Sequence, residues 1–224
     1  MSLIARSILG LAFLLLVLAL MLFVSAGTVG YWQAWVYLGV FALCTVLVTL
    51  YLMKYDQQLL ASRTKAGPVA ETQASQRIIQ SLASVCFVAL FIVSGLDYRF
   101  HWSSVPFAVS LAADAVVALG FFIVFLVFKE NSYTSAVVEV AAEQQVVTTG
   151  PYSVVRHPMY AGAGLLILAS PIALGSWVAL VPAVLLILVV VARLLDEEEL
   201  LARSLSGYPA YTQQVRYRLV PFVW

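Results

Sequence analysis

Apolar residues run in long blocks along this chain, and the polar positions between them set its division into elements. The first block, Ser7 to Ala26, follows a single Arg6, and the second runs from Tyr31 to Met53 with Tyr31, Trp32 and Trp35 at its start. A polar stretch from Lys54 to Arg77 turns at Gly67-Pro68, and a third block spans Ile78 to Leu96. After a short connection, Asp97 to Pro106, a fourth block covers Phe107 to Phe128, and a second polar stretch runs from Lys129 to His157. The last apolar region, Pro158 to Ala192, is broken by Pro171, Gly175 and Pro182, which predicts two short helices turning near Gly175-Ser176. A polar tail from Arg193 closes the chain. A spanning helix needs roughly 20 mostly apolar residues, so the pattern predicts an all-α, polytopic integral membrane protein of about six transmembrane helices, the last two forming a hairpin.

The first block resembles a secretory signal, with Val24-Ser25-Ala26 as a cleavage-like site. Signal cores are about 7 to 15 residues long, and this one is longer, so it is expected to stay as the first span. Aromatic residues at the start of the second block fit an interfacial belt. Two units are expected: residues 1–128, four spans, and residues 129–224, the loop, hairpin and tail.

Composition agrees with this division. Charged residues make up 10% of the chain and hydrophobic ones 63%, against about a quarter charged in soluble domains, which leaves no room for a separate soluble domain. A net charge of +1 gives no electrostatic case for nucleic acid, whose binding needs a concentrated basic face. Cys44 and Cys86 sit singly in apolar blocks, without metal-ligand spacing, and read as small apolar side chains. With six spans, eleven of the twelve basic residues fall on one face and only Arg99 on the other. The positive-inside rule then puts both termini and both long polar stretches in the cytoplasm.

Two polar clusters mark that face. One is the stretch Gln144 to Tyr160, containing Gly150-Pro151-Tyr152-Ser153-Val154-Val155-Arg156-His157-Pro158-Met159-Tyr160; the other is Arg193-Leu194-Leu195-Asp196-Glu197-Glu198-Glu199. A hairpin returns its end to the level of its beginning, so the clusters are expected to face each other. Pro158 suits the first turn of a helix, leaving His157 at the cap and backbone donors free for an anion such as an amino-acid carboxylate. His157 and Tyr160 share a helix face, as do Arg193 and Glu197. Gly162 and Gly164 let a flat ligand or a neighbouring helix come close. Histidine and tyrosine at this depth also serve as interfacial anchors, and an acidic run after a span also serves as a solvated helix segment. Asp114 lies inside the fourth block; an intramembrane carboxylate is a functional candidate by default, but its outward position favours helix packing or a structural hydrogen bond.

Gly-Pro-Tyr-Ser-Val-Val-Arg-His-Pro-Met-Tyr-Ala-Gly at 150–162, Arg-x-x-x-Glu-Glu at 193–198 and Gly-Tyr-Pro-Ala-Tyr at 207–211 together resemble the isoprenylcysteine carboxyl methyltransferase family, itself similar to membrane phospholipid N-methyltransferases. The likeness runs from about Asn131 to the C-terminus, while the N-terminal half matches only as generic spans. Leu205-Ser206 replaces an aromatic residue common before Gly207, which bears on tail packing more than on chemistry. The resemblance implies S-adenosylmethionine (S-adenosyl-L-methionine) as cofactor, bound between the last two helices and the preceding loop. It implies Gln145, Val146 and Val147 at the adenosine end with Tyr152 closing over it, His157 and Tyr160 holding the cofactor from the hairpin start, and Glu197 holding it through the amino group. Arg193 would meet the carboxylate of a lipophilic acceptor reached through the membrane lipids. An amine or thiol acceptor would need a base, and Glu198 is the first candidate.

The expectation is therefore a methyltransferase in a bacterial inner (plasma) membrane, its site facing the cytoplasm, with no metal. Alternatives are a phospholipid or other amine, or a thiol, as acceptor; a membrane reductase of the steroid-reductase type using a nicotinamide cofactor, although no G-x-G-x-x-G is present; and a transporter or scaffold, against which stand the absence of repeats and the clustering of polar residues at one surface.

Overall fold

The computed structural model describes residues 2–64, 71, 74–134, 136–137 and 144–224; the Gly67-Pro68 turn lies outside them. Among the described residues the chain is wholly helical: α1 (Leu3–Ala26), α2 (Trp32–Tyr55), α3 (Gln57–Arg63), α4 (Ala74–Phe100), α5 (Phe107–Glu130), α6 (Pro158–Ala173), α7 (Leu180–Ser204) and α8 (Tyr208–Gln214), with one 3₁₀ turn at Gly150–Ser153. Helices α1, α2, α4 and α5 are long and apolar enough to cross a membrane. Their outward faces carry large apolar side chains such as Phe13, Leu47, Val85 and Phe122, a surface that water would penalise and lipid accepts. α6 is shorter, and α7 carries charges in its second half, so four spans of the expected six meet that standard.

Local signals account for the ends. The Ser2 side chain accepts from the Ala5 N–H to open α1, and Gly27, at φ 68°, closes it in the left-handed conformation, which glycine adopts without a steric penalty. Asp56 caps α3 through a hydrogen bond from the Leu59 N–H, 2.8 Å. The hairpin turns at residues 174–179 with Gly175 at φ 78°, as the Gly175-Ser176 signal predicts. α7 runs past the end of the apolar block, through the charged run to Ser204, so Arg193 and Glu197 lie within one helix, as their four-residue spacing predicts. Leucine, alanine and glutamate are strong helix formers, and the change from apolar to polar alters the solvent without ending the helix.

Successive helices alternate in direction, so the α1–α2, α4–α5 and α6–α7 connections meet at one end. There the Asp97 carboxylate accepts from the Ser103 backbone N–H (2.7 Å) and hydroxyl (2.6 Å) and from the Ser176 hydroxyl, fastening the hairpin turn to the end of α4. The core between the ends joins Leu18 and Leu22 of α1, Tyr37 of α2, Phe91 of α4, Val117 of α5 and Ala173 of α6. Asp114 is buried in α5 with no hydrogen-bond partner among the described groups.

α5 packs more extensively on α6 than any other pair, and the reason is a glycine crossing. A Cβ on Gly162 would stand 2.9 Å from the Gly120 carbonyl oxygen, and one on Gly120 would stand 2.9 Å from the Gly162 oxygen. Gly162 thus serves a neighbouring helix, one of its two expected uses, whereas a Cβ on Gly164 would meet only Ile187 Cδ1 at 3.8 Å. From this crossing α5 continues to Glu130 while α6 begins at Pro158, which at 1.5 Å per residue sets the start of α6 about 9 Å deeper than the end of α5. That offset leaves a recess at the end opposite the Asp97 cluster.

Candidate functional site

The recess is a cleft of about 820 Å³, open to solvent. Its floor is the start of α6, with His157, Pro158, Met159 and Tyr160; one wall is α7, with Arg193, Glu197 and Leu201; the other is the preceding loop, with Asn131, Gln145, Val146, Val147 and Tyr152. Tyr208 and Tyr211 of α8 form the far edge. The two polar clusters therefore meet, as a hairpin requires.

Each side chain is held by local packing. Pro158 starts α6 and no side chain caps it; Ala161 N–H reaches the His157 carbonyl, 3.1 Å, and helix geometry leaves the Met159 and Tyr160 N–H groups without intrahelical partners. A helix start of this kind attracts negative charge. The Tyr160 hydroxyl donates to Glu197 Oε2, joining the two arms of the hairpin. Tyr152 stands in the 3₁₀ turn, its hydroxyl accepting from Asn131 Nδ2 at 2.9 Å and its carbonyl from the Tyr211 hydroxyl at 2.7 Å. Burial pushes the Tyr152 phenol well above its ordinary range, against the opposing pull of the Asn131 bond, so it stays neutral. Val146 packs with Leu205, Tyr208 and Tyr211, giving this end an apolar lining.

Glu198 does not line the cleft. Its carboxylate takes Arg156 Nη2 at 2.6 Å and Arg218 Nε at 2.6 Å, with His157 Nε2 at 3.8 Å. Burial alone would raise its pKa, but hydrogen bonds from His157 and Arg218 and the charge of Arg156 overcome that and bring it to about 2. A carboxyl so held is a poor proton acceptor near neutrality. Backbone bonds from Arg156 N–H to the Tyr217 carbonyl (2.9 Å) and from His157 N–H to the Arg218 carbonyl (3.0 Å) tie the tail across the motif. Glu198 thus fixes the floor of the cleft by binding the segment on either side of it.

Arg193 does line the cleft, and its guanidinium is already engaged: Nη1 donates to Gln76 Oε1 (3.2 Å) and Gln80 Oε1 (2.9 Å), and Nη2 to the Ala136 carbonyl (3.0 Å). Nη2 also pairs with Glu71 at 2.8 Å. Sequence reasoning missed Glu71, Gln76, Gln80, Asn131 and Arg156. A usable signal existed for two of them: Gln76 and Gln80 are four apart at the head of an apolar block, and so share one helix face.

Fold and cleft define a helical bundle with four helices able to cross a membrane and a polar cleft recessed at one end. Residues 109–206 match the family described as phospholipid methyltransferase, which covers the isoprenylcysteine type that the motifs resemble. No curated protein matches the chain.

Proposed function

We propose that the protein transfers a methyl group from S-adenosylmethionine to a lipophilic carboxylic acid of the isoprenylcysteine type, at a cleft facing the cytoplasm in a bundle of six spans. The observation that carries this reading is the cleft itself: Gln145, Val146, Val147, Tyr152, His157, Tyr160 and Glu197 all border one recess within or beside the family-matched region. The donor set suits the cofactor. Val146, Leu201 and Tyr152 offer an apolar slot for adenine, Glu197 an anion for the amino group, and the uncapped start of α6 donors for the carboxylate. Bound there, the cofactor supplies an electrophilic methyl group on a sulfonium.

The protein's own part is alignment and exclusion of water, worth roughly 7 to 11 kcal/mol when reactants are well oriented. Tyr160 and Glu197 lock the two arms of the hairpin, Glu198 with Arg156 and Arg218 holds His157 in place, and Arg193 orients the acceptor. The part of the chain from residue 129 holds the cofactor, and the part before it contributes Glu71, Gln76 and Gln80 as partners of Arg193. A carboxylate needs no base, which fits Glu198 being held far below the range of a useful one. The sequence pattern that puts eleven basic residues on one face of a six-span chain and Arg99 on the other supports a cytoplasmic orientation.

A second reading, methylation of a phospholipid amine, has the family's description in its favour; it requires a proton to leave the amine, and Glu198 does not serve. The deciding experiment feeds methyl-labelled methionine to cells with and without the gene and follows label by mass spectrometry. Label in an alkali-labile ester of an isoprenoid or other lipid acid supports the proposal; label in a phospholipid headgroup or a small thiol overturns the carboxylate assignment.

A further inference from the structure

Glu71 lies between α3 and α4, outside the family-matched stretch, and its side chain is 1% exposed. Its carboxylate stands 2.8 Å from Arg193 Nη2, and the other terminal guanidinium bonds go to Gln76, Gln80 and the Ala136 carbonyl. Two neutral amides and one carbonyl hold the fork in place, and one carboxylate supplies the charge. Arg193 also forms part of the cleft wall. Glu71 does not itself line the cleft, but it holds an anion position at the Arg193 guanidinium, and a partly buried guanidinium with all its terminal donors engaged offers an acceptor carboxylate no second one.

We infer that Glu71 is a built-in stand-in for the acceptor carboxylate, pairing with Arg193 while the site is empty of acceptor and yielding its place when the acceptor arrives. The inference rests on the carboxylate reading above. Exchange of one carboxylate for another keeps Arg193 paired at every stage, and the displaced Glu71 carboxylate turns out to water, since leaving it buried and unpaired would be costly. The Glu71 carbonyl accepts from Arg77 Nε at 2.8 Å, which ties its backbone to the start of α4 through the exchange. Transfer then breaks the sulfonium C–S bond, forms a C–O bond on the acceptor and releases no proton. The acceptor becomes a neutral ester, which competes poorly for a cation, and Glu71 recovers Arg193 as the product leaves. Glu71 is thus a positioning residue that discriminates acid from ester at the same guanidinium.

The test compares wild-type protein with Glu71→Gln and Glu71→Asp, as full chains purified in detergent and loaded with S-adenosylhomocysteine. Binding of N-acetyl-S-farnesyl-cysteine and of its methyl ester is measured, together with affinity for S-adenosylmethionine. Removing the competing charge should tighten acid binding about tenfold in Glu71→Gln, with ester and cofactor affinities within about twofold of wild type; the shorter aspartate should give a smaller tightening. A merely structural Glu71 would weaken all three ligands together or none. If Glu71→Gln does not fold, the aspartate variant decides alone. Cofactor bound normally with acid affinity unmoved or weakened, or with no acid bound by any variant, overturns this inference. Failure of the wild type to bind S-adenosylmethionine overturns the methyltransferase reading beneath it.

Discussion

Replacing Glu198 with Gln removes the centre of the Arg156–His157–Arg218 cluster without changing its size, and the consequence should depend on pH in a calculable way. Burial opposes the charge, but the three cationic or hydrogen-bonding neighbours bring the folded pKa from 4.5 to about 2. A depressed carboxylate pKa stabilises the folded state above the unfolded pKa, and that contribution is lost as pH falls through the folded one. The full shift corresponds to about 3 kcal/mol, an order-of-magnitude figure, at 1.36 kcal/mol per unit. It is present above about pH 5 and fades between 4.5 and 2. By pH 3.5 about 1.4 kcal/mol of it should be gone. Unfolding of the wild type and of Glu198→Gln in mixed micelles between pH 7 and pH 3.5 measures this directly, because the other carboxylates titrate in both proteins and cancel in the difference. The stability gap should be widest at pH 7 and about half as large at pH 3.5. A gap that stays constant with pH would refute the assignment of Glu198 as a charged clamp.

The glycine crossing predicts that Gly162→Ala, whose Cβ would stand 2.9 Å from a backbone oxygen and 3.0 Å from Val124 Cγ2, forces α5 and α6 apart and costs about 1–3 kcal/mol. Gly164→Ala, facing Ile187 Cδ1 at 3.8 Å, should leave the melting temperature unchanged, and equal melting of the two variants would contradict the crossing. For orientation, single cysteines at Ser206 and Ser104, both exposed, are introduced after Cys44 and Cys86 are replaced. An impermeant reagent added outside intact cells should label the cysteine at 104 and spare the one at 206; the reverse would invert the bundle.

The spans were legible because burial in lipid leaves a one-dimensional mark. Runs such as Phe107 to Phe128 carry their environment in composition alone, and the turn at Gly175 shows in the need for a positive φ. The facing of Tyr160 and Glu197 followed from hairpin geometry. What escaped was lateral: nothing in a string of apolar residues says which helix faces which, so the neighbourhood of α4 and α7, and with it the partners of Arg193, had no local mark. Glu198 illustrates the same limit. Read along the chain it is an acid beside Glu197, a candidate base; in space the one-residue offset on a helix, about 100°, turns it away from the cleft and toward Arg156 and Arg218. The short helices α3 and α8 also went unread, because seven residues carry too little periodicity to separate from a loop.

The central claim is that the recess between the start of α6 and the second half of α7 binds S-adenosylmethionine, and calorimetric titration of the purified protein in detergent addresses it most directly. Saturable binding should be weakened by about 1.5 to 3 kcal/mol in Glu197→Gln, the worth of a hydrogen bond to a charged group, and should also weaken in His157→Ala. Affinity unchanged in both variants, or no binding by the wild type, would contradict it.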